Sequence, residues 1–123
     1  MERYVRQFDE MYARDFGTKT PPVVYEDGVM TIWEVVSPEQ GGFFEKDTYI
    51  ALERMEVSNI IDQGGRIFFI QDGSEKFGAT AIDGNIDVFD KKDNPTNNRQ
   101  IKKAVMYLAK GMNSGKISRM LGR

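Results

Sequence analysis

Three Asp-Gly dipeptides, Asp27-Gly28, Asp72-Gly73 and Asp83-Gly84, each stand between runs rich in β-branched and aromatic residues. Asp-Gly suits the positive φ angles of tight hairpin turns, so each pair predicts a reversal of direction within an antiparallel sheet. The flanking runs are Val23 to Tyr25, Met30 to Val36, Thr48 to Val57, Arg66 to Gln71, Gly78 to Ile82 and Asn85 to Phe89. They predict a meander of five or six strands over residues 23–89. Within Met30 to Val36, the residues Met30, Ile32, Glu34 and Val36 alternate with Thr31, Trp33 and Val35. Both faces are partly apolar, which predicts a central strand. Residues 37–42 read as the longest loop, leading into Phe43-Phe44, a strand start with one ring in each layer.

Helical periodicity frames the sheet. From Glu2 to Phe16, the residues Tyr4, Val5, Phe8, Met11, Tyr12 and Phe16 recur at three- and four-residue spacing, and Gly17 followed by Pro21-Pro22 stops the helix. After the polar turn of residues 93–98, Ile101, Ala104, Val105, Leu108 and Met112 form an apolar stripe that predicts a helix from about Asn98 to Met112. A short helix from about Gly115 to Leu121 follows, with Ile117, Met120 and Leu121 inward and Lys116, Arg119 and Arg123 outward. Segregated elements predict an α+β fold in one domain: a helix over 1–17, an antiparallel sheet over 23–89 and a basic helical hairpin over 96–123.

Chemistry is restricted by what the chain lacks. It has no cysteine and no histidine among its 123 residues, which removes disulfides, thiol nucleophiles, the commonest metal ligand and the usual general base. The carboxylate pairs Glu39 with Glu45 and Glu53 with Glu56 are what 19 acids in a short chain produce without any catalytic purpose. Asp87, Asp90 and Asp93 lack the ligand spacing of a calcium loop, and no phosphate-binding glycine loop occurs. The expectation is a non-enzymatic protein with no catalytic residue, no metal and no cofactor. No apolar run reaches the roughly 18 residues of a membrane span. Met1-Glu2-Arg3 opens a charged segment rather than a secretory leader, so the expected location is the cytoplasm, away from any membrane.

The net charge of −2 conceals a division. Residues 1–93 hold all 19 acids with ten bases, a net of −9, whereas residues 94–123 hold seven bases and no acid. Such a split points to an anionic partner, or to docking of the basic segment on an acidic protein surface, the chain's own included.

The run from Leu108 to Gly122 resembles the first two helices of a bacterial-type DNA-binding helix-turn-helix, with Gly111, Asn113, Ile117, Ser118, Leu121 and Gly122 at the positions that family uses. The resemblance covers residues 98–122, and the chain reaches Arg123 where the family turns into its recognition helix. What it implies is contact with nucleic acid. Phosphate contacts by a basic face need no recognition helix, so a sequence-independent site is compatible with this departure.

These features together predict a small binding or regulatory protein that captures a phosphate-bearing ligand, nucleic acid or nucleotide, on its C-terminal helices. Arg99, Lys102 and Lys103 are the first candidates because they open a helix, where free amides and the macrodipole favour anions. Asn97 and Asn98 stand beside them, and Lys110, Lys116 and Arg119 extend the surface. The competing class is a protein-interaction module, such as an inhibitor, docking on a charged protein partner. Met106, Tyr107, Met112 and Met120 exceed what one buried face requires, which predicts either a homodimer or packing against the N-terminal helix of the same chain.

Overall fold

The computed structural model describes residues 20–40, 54–90 and 94–123. The helix expected over 1–17 and the Phe43-Phe44 pair lie outside them.

Five strands form one antiparallel sheet in the order of the chain: β1 (Val23–Glu26), β2 (Met30–Val35), β3 (Arg66–Asp72), β4 (Glu75–Ile82) and β5 (Asn85–Asp90). The Asp-Gly signals mark three of its reversals. At the β4–β5 turn both Asp83 (φ 50°) and Gly84 (φ 82°) take positive φ, as a type I′ turn requires. At β3–β4 the turn residues are Gly73 and Ser74, Asp72 pairs with Glu75, and of the two only Gly73 has positive φ. β2 pairs on both sides, as its two apolar faces predict.

Helix α1 (Arg54–Asp62) replaces the C-terminal part of the strand expected over Thr48 to Val57. Its apolar residues Val57, Ile60 and Ile61 repeat at helical spacing, and Gly64-Gly65 ends it. Gly65 N–H donates to the Ile60 carbonyl at 2.8 Å and Gly64 N–H to that of Ile61 at 2.9 Å, the paired bonds of a Schellman motif. The short apolar run alone did not separate strand from helix. Thr48 to Glu53 lie outside the described residues.

Strand alternation splits the apolar residues between the two sheet faces. On one face Tyr25, Met30, Ile32, Phe68, Ile70, Phe77, Ala79, Ala81 and Val88 are covered by helices α2 (Arg99–Ala109) and α3 (Ser114–Met120). These helices contribute Ile101, Ala104, Val105, Leu108, Ile117 and Leu121. On the other face Val35, Ile67 and Phe69 meet Val57 of α1, with Trp33, Ile60, Ile61 and Phe89 around them. The fold is α+β, with the sheet between two helical layers. A register shift between Val23 and Tyr25 turns Val24 toward the same core as Tyr25.

Two expectations about the last helices need correction. Met120 is 51% exposed rather than inward, because Ile117 and Leu121 already fill the narrow buried face of a seven-residue helix. Tyr107, expected to be surplus apolar surface, is half-buried against the α2/α3 core of its own chain, as is Met112, which the apolar stripe placed inward. Among the described residues no helix is long and apolar enough to cross a membrane.

Candidate anion-binding surface

Each of the two C-terminal helices starts on an asparagine and ends on a glycine. Asn98 caps α2, its side-chain oxygen accepting from Ile101 N–H at 3.2 Å, and Asn113 caps α3, accepting from Lys116 N–H at 2.8 Å. The cap takes up the side-chain oxygen of Asn98 and fixes its orientation; the atom that would donate to a ligand is its side-chain amide nitrogen, which the cap does not use. Asn97 is exposed. At the far ends, Gly111 and Gly122 adopt φ of 83° and 77°. Schellman bonds run from Met112 N–H to the Tyr107 carbonyl and from Arg123 N–H to that of Ser118.

These caps fix which side chains face outward. Arg99, Lys103 and Lys110 fall within about 40° of one line along α2, and that line runs opposite the stripe of Ile101, Ala104, Val105 and Leu108. Lys102 lies beside it. All four cations are exposed, as are Lys116 and Arg119 on α3. Among the described residues none of the six side chains makes a hydrogen bond or ion pair. The structure thus brings together on α2 the bases that the sequence singled out, and Lys116 and Arg119 stand exposed on α3.

The seventh base of the segment behaves differently. Arg123 Nε donates to Asp27 Oδ2 at 2.7 Å, from the last residue of the chain back to the β1–β2 turn. The same oxygen accepts from the Tyr25 hydroxyl at 2.6 Å, while Asp27 Oδ1 accepts from the amides of Val29 (2.9 Å) and Met30 (2.7 Å). The Asp27 side chain is 3% exposed. Burial alone would raise its pKa, but the bonds from Tyr25, Met30, Arg123 and Val29 hold the carboxyl well below the usual carboxylate range. The Tyr25 phenol is pushed up, by burial first and by the adjacent carboxylate second.

A second ion pair anchors α2. Arg66 binds Glu34 through both of its forks, Nε to Oε2 at 2.9 Å and Nη2 to Oε1 at 2.7 Å. Its Nη1 donates to the Leu108 carbonyl in the last turn of α2 at 2.8 Å, and the guanidinium lies 5.2 Å from the centre of the Phe68 ring. The cation is a second donor to this carbonyl, which also accepts from Gly111 N–H at 2.9 Å, and it sits at the negative end of the helix. Sequence reasoning missed both pairs, since their partners are 96 and 32 residues apart. The sole local signal was the aspartate opening the β1–β2 turn, a residue type that bonds backbone amides two and three positions on.

No family model matches this chain, and no curated protein or solved structure is similar to it.

Proposed function

We propose that the outward faces of α2 and α3 capture a phosphate-bearing ligand, nucleic acid or nucleotide, and that the protein acts by binding rather than by catalysis. One observation carries this reading: among the described residues, of the seven bases in an acid-free segment only the Arg123 side chain meets an acid of the same chain. Docking of the basic segment on the described acids of the sheet and α1 would have consumed more of them. Six exposed cations on two short helices raise the local potential and attract polyanions, with a strength that falls as salt rises. Arg99, Lys102 and Lys103 lead, with Lys110, Lys116 and Arg119 extending the surface and Asn97 at its rim.

Fluorescence anisotropy with a labelled oligonucleotide and with a labelled nucleoside triphosphate at low salt tests the proposal. Joint replacement of Arg99, Lys102 and Lys103 by alanine is expected to weaken binding at least about tenfold while leaving the fold unchanged. Absence of measurable binding to either probe, or affinity indifferent to the three replacements, overturns it. Stoichiometric capture of an acidic protein in place of nucleic acid would support the protein-interaction class.

A further inference from the structure

We infer that the ligand of this surface is the phosphate backbone of a double helix, read without regard to base sequence. The inference rests on the proposed anion-binding role of α2 and α3 and narrows it. Arg99 and Lys110 are eleven positions apart on one helix, which separates their Cα atoms by about 16 Å along its axis. Lys103 lies between them on the same line, Lys102 beside it, and Lys116 and Arg119 follow on α3 after the Gly111 turn. A compact di- or triphosphate engages two or three neighbouring cations and leaves the rest idle. A duplex strand presents a phosphate for every roughly 3.4 Å of axis, so about five fall within the length of the α2 line alone.

The choice between double and single strands follows from what the surface lacks. Proteins that hold single strands without sequence preference stack the bases on exposed aromatic rings. Residues 94–123 contain one aromatic side chain, Tyr107, and it is half-buried against the core from the flank of α2. Exposed cations with no fully exposed ring among residues 94–123 suit a ligand whose bases are already stacked on each other and whose phosphates face outward. Six contacts at most give a slope of log K against log salt of no steeper than about −5.

Anisotropy titrations over a salt series test this with four probes of the full chain: duplex DNA, duplex RNA, a single strand of the same length and sequence, and a nucleoside triphosphate. Either duplex is expected to bind at least about tenfold more tightly than the single strand, with affinity unchanged on scrambling the sequence. The single variants Lys103→Ala and Lys110→Ala are each expected to lower the magnitude of the duplex slope by about one. Lys76→Ala, on the opposite sheet face, should leave it alone. A single strand bound as tightly as a duplex, or slopes unmoved by the α2 variants, overturns the inference. Triphosphate bound as tightly as any polymer overturns it too, yet leaves the broader anion-binding role standing. Failure of all four probes removes both.

Discussion

The ring of Phe89 lies against the backbone of Gly78, its cross-strand partner, so closely that a Cβ on residue 78 would stand 2.4 Å from ring atom Cε2 and 2.6 Å from Cζ. Glycine here admits the aromatic ring rather than a turn, and the ring joins the core under α1. Gly78→Ala is therefore expected to destabilise the protein by about 1–3 kcal/mol through displacement of that ring. Urea unfolding of Gly78→Ala, Phe89→Leu and the double variant checks it. Non-additivity is the expected signature, with alanine tolerated better once the ring is smaller.

Asp27 has four donors converging on two oxygens, and its side chain is 3% exposed, so its replacement leaves buried donors unpaired. Asp27→Asn places amide hydrogens against donors, with an expected loss of about 2–4 kcal/mol. Arg123→Ala removes one partner that is partly solvated and should cost about 1 kcal/mol.

The pH dependence follows from the sign of the shift. The folded-state pKa of Asp27 lies below its unfolded value, so the stability it contributes is fully present above about pH 4 and is lost as pH falls toward the folded-state value. The difference in unfolding free energy between wild type and Asp27→Asn should thus hold steady from pH 7 to 5 and shrink below about pH 4. A difference constant down to acid pH would contradict this assignment. Denaturant titrations across the range measure it.

Capping and ligand contact can be separated at one residue. Asn98→Ala should cost about 1 kcal/mol of stability through the lost cap, whereas Asn98→Asp keeps an acceptor for Ile101 N–H and should preserve stability. The same aspartate adds a negative charge beside Arg99 and Lys102, so the anion affinity of the folded variant should fall. Thermal melts and anisotropy on the same preparations check both halves.

Much of the sheet was legible because its signals are local. The Asp-Gly pairs and the alternation in Met30 to Val36 report turn geometry and face directly, and the stripe from Ile101 to Leu108 reports one helix face. The run ending in Val57 failed for the opposite reason: a few apolar residues fit either period until the Gly64-Gly65 stop is weighed as a helix cap. The exposed bases of α2 and α3 were readable from spacing alone. The ion pairs of Asp27 with Arg123 and Glu34 with Arg66 were not, since they join segments that only the folded sheet brings together.

The Asp27–Arg123 contact closes a circuit from the first hairpin of the described sheet to the final residue of the chain. Closing so long a loop is entropically expensive, and the contact contributes nothing until both the β1–β2 hairpin and α3 are in place. It belongs to the finishing stage of folding, so its loss should speed unfolding more than it slows folding. The carboxyl-terminal helix is thereby held by a clasp whose release requires no disturbance of the sheet hydrogen bonds. Release of α3 and persistence of the meander are separable events, the first opposed by this clasp together with the buried Ile117 and Leu121.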